Sequence, residues 1–474
     1  MEKLSLDVLM QYEQVDSAEV SKAALEALNQ LDRKIVVLDD DPTGVQTVHD
    51  VSVYTSWDEE AMTAGFREDN SIFFILTNSR GFTREETAKV HREIAATLAK
   101  VSEAEGKDYI LISRSDSTMR GHYPLETETL RETIETVSDK RFDGEIIFPF
   151  FKEGGRYTIN NIHYVKEGDM LTPAGDTEFA RDKSFGYKSS HIGEYVEEKT
   201  GGRFTKESCT YVSLEDLRER NIEGITAQLM KVEGFNKVIV NAIDYVDVKV
   251  FAVSLVEAVK RGKEFMFRSA AAVTKVLGGV SDMALLSKES LIEKENTNGG
   301  IVLIGSHVNK TTQQFEALKK CSAPLEFIEF NQHLVLVENG LEGEVERVIS
   351  KAEKNIRSGK SVVVYTRRER FDLDTDDKDK QLMVSVKISD AVTSVIGKLS
   401  IRPNFIIAKG GITSSDVGTK ALGVKKALVM GQIKPGIPVW MTGEESKFPK
   451  MPYIIFPGNV GEIDTLKEIV DLLS

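Results

Sequence analysis

Four short apolar runs, residues 35–38, 72–76, 109–113 and 146–148, are each too short for a helix and each end in a polar turn. Helical patterns lie between them. Thr83 with Glu86 three residues on is a capping box, which predicts a helix from there to about residue 100. Alternation of this kind restricts the chain to an α/β fold built on parallel, doubly wound sheets. In such sheets ligands bind at the carboxyl ends of the strands. The first run delivers three consecutive carboxylates, Asp39, Asp40 and Asp41, into Pro42, Thr43 and Gly44, which end the strand. Adjacent like charges repel, so the fold gains little from them unless a cation or a hydroxyl-rich ligand sits nearby. The plainer reading is a solvated acidic turn.

At 474 residues the chain exceeds one ordinary core. The expected architecture is two domains, each a mostly parallel sheet flanked by helices. Residues 1–33 form an N-terminal helical extension and 34–286 a first domain. A charged and polar stretch, 287–300, reads as a linker, and 301–474 as a second domain. Strands are expected in the second domain at 301–304, 361–365, 405–408, near Val439 and at 454–456. Residues 160–205 are rich in turn formers and charge and give no assignment. A net charge of -14 argues against a nucleic-acid surface. Cys209 and Cys321 form no metal-spaced pair, and the seven histidines show no zinc pattern. The N-terminus does not read as a signal peptide, and no apolar run approaches the ~20 residues of a membrane span. A cytoplasmic enzyme acting on small molecules is the expectation. Nothing in the sequence fixes the oligomeric state, with a homodimer among the options.

Two sets of residues carry chemistry. The acidic turn, with Asp40 and Asp41 as catalytic candidates, is joined by Arg80, Arg114, Asp116 and Ser117, which follow strands of the same expected sheet. Arginine offers a planar fork for a carboxylate, and Asp and Ser offer the mixed donors and acceptors that vicinal hydroxyls need. Together they describe a pocket for a polyhydroxy acid, or else a local ion-pair network. In the second domain Lys409, Gly410, Gly411, Ile412 and Thr413 join a strand to a helix. Paired glycines let backbone amides approach a phosphate, although a plain capped turn has the same look. Gly458 and Asn459 form another glycine turn, and Gly305 and Ser306 end a third strand. Three such ends in one domain point to one nucleotide site. Lys409 and Arg156 are candidates to stabilise transferring charge. No P-loop or dinucleotide fingerprint is present.

The acidic turn with Thr43 and Gly44, the SDSTMRG and FPFFKEGGRYT loops, and the late KGGITSSD and PGNVG turns resemble the four-carbon acid sugar kinases over about residues 34–474. The resemblance implies a first domain that binds the sugar acid and a second that binds ATP. It implies phosphorylation of the terminal hydroxyl of threonate, erythronate or a 3-oxo relative. Mg2+ is expected with the ATP, whose phosphates cannot meet an acidic protein unshielded. By the same resemblance Asp40, Asp41, Arg114, Asp116 and Ser117 line the acid pocket. Ser306, the 410–413 turn and Gly458 contact ATP. The chain departs from the family pattern at Pro42, Arg114 and His307, and in its longer N-terminal extension.

Two other classes fit parts of the pattern. A haloacid-dehalogenase-type phosphatase would use Asp39 and Asp41 with Thr43, and Thr77 at its second motif, but leaves the second domain without a role. A non-catalytic sugar-acid sensor has no use for the KGGITSSD turn.

Overall fold

The computed structural model describes residues 2–12, 17–373 and 378–474. Residues 13–16 of the expected extension lie outside the described residues. The chain forms two α/β units, one comprising Met1–Asp40 and Ser56–Ser281, the other Asp41–Thr55 and Asp282–Ser474.

The first unit is built on seven parallel strands. Their order is Thr210–Val212, Asn236–Val240, Gly144–Phe148, Phe265–Ser269, Asp108–Arg114, Arg33–Asp39 and Ile72–Leu76. Helices cover the sheet, so its central strands are apolar almost throughout, as strands buried on both faces must be. The expected capping box is present. Thr83 accepts from the Glu86 amide, Glu86 accepts from the Thr83 amide, and the helix Arg84–Glu105 runs on until Gly106 adopts φ +60. The unassigned region contains a second sheet. Leu4–Ser5, Met170–Pro173, Ile162–Glu167 and Arg156–Ile159 form it in that order, all antiparallel. The N-terminal extension is therefore not purely helical. Its helix Ser17–Asn29 is preceded by a strand that belongs to this small sheet.

The second unit has eight strands in the order Val51–Tyr54, Lys426–Lys434, Ile437–Thr442, Pro452–Phe456, Ile406–Lys409, Ile301–Ile304, Ser361–Thr366 and Leu325–Phe330. The first four pair antiparallel, and the pairs from Pro452–Phe456 onward are parallel. Two features depart from the expected division. Residues 41–55 belong to this unit, because Val51–Tyr54 pairs with Lys426–Lys434. The stretch expected as a linker is also packed: Leu291 is buried in the same core as Val302, Phe405 and Leu473. Among the described residues no helix is long and apolar enough to cross a membrane.

Candidate functional site

In the first unit the strands Arg33–Asp39, Asp108–Arg114 and Phe265–Ser269 are neighbours and end together, with Asp39 in register with Arg114 and Arg114 with Ser269. Their side chains form a buried charge network. Arg114 Nη1 donates to Asp39 at 2.9 Å and lies 3.5 Å from Asp40. Arg80 grips Asp40 with two bonds, Nε to Oδ2 at 3.1 Å and Nη2 to Oδ1 at 2.5 Å. The repulsion expected between the acids is thus offset by arginines of the protein itself. Arg114 was expected to face the substrate carboxylate; the structure spends its Nη1 on Asp39 instead.

Two members of this network escaped the sequence reading. Arg268, only 6% exposed, donates to Ser113 Oγ at 3.0 Å and to Glu126. Glu126 also accepts from Ser79 Oγ at 2.6 Å. Burial works against the Arg268 charge, but Glu126 and Asp40 beside it hold the guanidinium protonated. Gly121 of the SDSTMRG loop makes room for this arginine. Its φ is +123, and a Cβ there would stand 2.6 Å from Arg268 Nη2.

Asp116 lies in the same loop. Burial alone would raise its carboxyl. Arg120 and Arg80, with hydrogen bonds from Arg120 Nε at 2.7 Å and from Thr118, instead hold it well below the usual carboxylate range. Ser117 is buried, and its carbonyl accepts from His163 Nε2 at 2.7 Å. Tyr187 and Tyr195 donate to the carbonyls of Thr118 and Met119 at 2.7 and 2.8 Å. The region that gave no assignment therefore holds this loop in shape. Arg156, from the small sheet, sits with its guanidinium carbon 5.5 Å from the Phe179 ring centre, and that of Arg120 lies 5.0 Å from the same centre. Arg156 Nε is buried without a partner, and burial weakens the charge while Asp116 supports it. Asp41 begins the second unit, and its Oδ1 accepts from the amide of Thr43 at 2.8 Å and from the Thr43 hydroxyl.

The residues that the phosphatase reading needs are occupied otherwise. The Asp39 side chain is 2% exposed and paired with Arg114, and the Thr77 hydroxyl donates to the Asp39 carbonyl at 3.0 Å. Neither faces open space where a phosphate ester could be attacked.

In the second unit three neighbouring parallel strands end at Ile304, Lys409 and Phe456. The turns that follow converge. A Cβ on Gly410, whose φ is +126, would lie 3.0 Å from Ser306 Cβ, and one on Gly458 would lie 3.3 Å from Ser306 Oγ. A Cβ on Gly305 would collide with Thr413 Oγ1. Thr311 Oγ1 ties the group together, donating to Gly458 O at 3.0 Å and to Ser306 Oγ at 3.3 Å. Of the glycine pair, Gly410 is the one the backbone requires, whereas a side chain on Gly411 would meet nothing within 4 Å. Ile412 is 71% exposed and Asn459 is exposed.

Lys409 differs from expectation. It is fully buried, with Nζ donating to Pro457 O at 2.6 Å and lying 3.8 Å from the Phe456 ring centre. It braces the Gly458 turn from beneath. Burial presses its ammonium down to about 6, with Lys310 adding to the effect. An unfolded chain keeps that proton up to about 10.4. Between these values the unfolded state binds one more proton, so this group makes stability rise with pH across the window. Lys409→Met should abolish that slope. The melting temperature of the parent should climb relative to the variant between pH 6 and 9, with a constant gap below pH 6. A flat difference from pH 6 to 9 would contradict the assignment.

Each unit thus presents one group of polar residues at the carboxyl edge of its parallel strands. Comparison with known proteins agrees with this division. Residues 35–277 match the family described as a sugar-binding N-terminal domain, and residues 301–466 match that described as a nucleotide-binding C-terminal domain. The chain belongs to the four-carbon acid sugar kinase family. Among solved structures, a Haemophilus influenzae protein is 18% identical with a TM-score of 0.57, the match covering 92% of this chain and 98% of that one. A Salmonella typhimurium LT2 protein, provisionally described as a tRNA synthase, is 15% identical with a TM-score of 0.61, covering 91% and 97%. At these identities the likeness is one of fold. No curated protein matches the chain.

Proposed function

We propose that the protein is an ATP-dependent kinase that phosphorylates the terminal hydroxyl of a four-carbon sugar acid such as threonate, erythronate or 3-oxo-tetronate. The observation that carries this reading is the pairing, in one chain, of a buried arginine–carboxylate network with a Ser306–Gly410–Gly458 convergence of strand-end turns. Phosphoryl transfer needs positioning and charge neutralisation more than covalent chemistry. Arg156, with a buried Nε lacking a partner among the described residues, is one cation available to a substrate carboxylate. Asp116 and Ser117 fix the loop that meets the hydroxyls. One carboxylate of the Asp40–Asp41 pair orients the attacking hydroxyl and accepts its proton. Ser306, Gly410, Gly411, Thr413 and Gly458 shape the nucleotide turn, with Ile412 and Asn459 on its open side. Asp39 and Asp40 are already paired with arginines, so Mg2+ fits as a partner of the nucleotide phosphates, whose charge it neutralises when bound. On this reading the protein is a metabolic enzyme of the cytoplasm.

A screen of four-carbon acids with ATP and Mg2+, read as ADP release, tests the proposal. One or more acids should give ADP in proportion to phosphorylated acid. Phosphate release from phosphorylated acids, with no ADP formed from any acid, would replace the kinase with a phosphatase. Binding of an acid with neither activity would leave a sensor.

A further inference from the structure

At the carboxyl edge of the second unit, next to the turns described above, lies a group of buried polar atoms that the nucleotide residues named so far do not use. The strand Ser361–Thr366 runs parallel to Ile301–Ile304, with Ile304 in register with Tyr365. Arg368 follows the first strand and His307 the second. Arg368 Nη2 donates to the carbonyl of Ser306 at 2.7 Å and to Thr312 Oγ1 at 2.9 Å. Its Nε and Nη1 are buried and have no partner. His307 Nδ1 is likewise buried and unpartnered, while its Nε2 lies 3.5 Å from Thr366 Oγ1.

A buried donor without a partner costs about 1–3 kcal/mol, more when charged, and native structures rarely keep several together. Three such atoms on two adjacent strand ends therefore need an account. A solvated salt bridge does not supply one, because neither free Arg368 donor has a carboxylate partner among the described residues. Burial opposes the Arg368 charge with only Glu316 in support, and burial, followed by the Arg368 charge, disfavours protonation of His307. The site thus carries a positive charge that no described carboxylate pairs with, which an anion would satisfy.

The geometry also selects among anions. Either flat edge of a guanidinium that can grip a carboxylate with two parallel bonds includes Nη2. Both Nη2 protons are already committed, to Ser306 and to Thr312. What remains is the Nε proton on one edge and the Nη1 protons beyond the other. These suit separate oxygens of a chain of phosphates better than the paired oxygens of one carboxylate. Ser306, which holds Arg368 by its carbonyl, is the residue whose side chain meets the Gly410 and Gly458 turns.

We propose that Arg368, anchored by Ser306 and Thr312 and flanked by His307, is the polyphosphate subsite of the nucleotide site. The proposal rests on the kinase reading for the identity of the nucleotide, but not for the presence of an anion site. Arg368 supplies the charge on the side of Ser306 away from the glycine turns, the role that Lys409, buried under the Gly458 turn, does not fill.

Calorimetry of the full chain with MgATP and, separately, with inorganic tripolyphosphate tests it. Arg368→Met should weaken both ligands at least tenfold and leave the melting temperature and four-carbon acid binding close to those of the parent. Thr312→Val, which keeps the arginine but frees it from one anchor, should give a smaller loss of the same sign. It also serves as the readout should Arg368→Met fail to fold. Unchanged MgATP affinity in the folded variants, with the parent binding MgATP, would overturn the subsite and leave the kinase reading intact. Tripolyphosphate binding that depends on Arg368, in a parent that ignores MgATP, would keep the subsite and remove the kinase reading. A parent that binds neither would overturn both.

Discussion

Asp41→Asn should lower kcat by roughly 100- to 10,000-fold, the usual cost of losing a general base, with a melting temperature close to that of the parent. Asp40→Asn should also lose activity, but with a raised KM for the acid and a clear drop in melting temperature. The two aspartates are adjacent in sequence, and the sequence does not separate their roles. Their surroundings do. Asp40 is 3% exposed and held through both oxygens by Arg80, with Arg114 at 3.5 Å. Positive neighbours favour the charged form of a carboxylate, which makes it a poor acceptor of a proton and a good fixed anchor. Removing its charge leaves arginines facing a neutral amide in a buried place, and unpairing a buried charge is strongly destabilising. Asp41 is only half-buried, and its Oδ1 accepts from the amide and hydroxyl of Thr43. Its partial exposure is what lets a bound hydroxyl reach it. The check is steady-state kinetics on both variants beside thermal unfolding. A silent Asp41→Asn together with an Asp40→Asn defect confined to kcat would reverse the roles.

The second large effect is on stability and lies away from the site. Lys237 and Glu145 are both 0% exposed, face each other in register on adjacent strands of the first unit, and meet at 2.6 Å. The ammonium also sits 4.0 Å from the Phe235 ring centre and 4.3 Å from that of Phe204. Lys237→Met strands the carboxylate in the core and should cost about 3–5 kcal/mol. Adding Glu145→Leu should return most of that loss, since replacing a whole buried pair with apolar groups is often neutral or stabilising. Because two units need not unfold together, the readout is amide exchange in the strands Gly144–Phe148 and Asn236–Val240. Equal protection in the parent and Lys237→Met would mean that the pair adds nothing to the sheet.

The parallel strands were legible in the sequence because burial on both faces makes them short, continuous apolar runs. Their positions then placed the acidic turn, the SDSTMRG loop and the KGGITSSD turn at sheet edges. What stayed hidden depends on distant partners. The strand Lys426–Lys434 alternates buried and more exposed residues and carries a glycine and lysines, so it shows no such run. Arg268 sits inside FMFRS and Glu126 within a helix. Only the register of Phe265–Ser269 beside Asp108–Arg114 shows that they share one network with Asp40. Lys409 reads as a phosphate-binding lysine next to paired glycines, and only its burial beneath Pro457 shows otherwise. The small antiparallel sheet was unreadable for a related reason: its strands are short and interrupted by turns, yet it bears His163, which holds the Ser117 loop.

The pairing of Val51 with Val429 has a consequence for synthesis. The strand that begins at Val51 leaves the ribosome 378 residues before its partner exists, roughly 20–75 s at common translation rates of about 5–20 residues per second. Throughout that interval an apolar strand with a bare hydrogen-bonding edge is exposed to other nascent chains, and such edges are templates for aggregation. The N-terminal half can complete its own sheet meanwhile, but the edge of Val51–Tyr54 that takes Lys426–Lys434 must wait. Yield in a cell should therefore respond to chaperone supply and growth temperature more than the stability of the finished protein would indicate, and a C-terminal half expressed from residue 301 would lack the strand that covers one side of Lys426–Lys434.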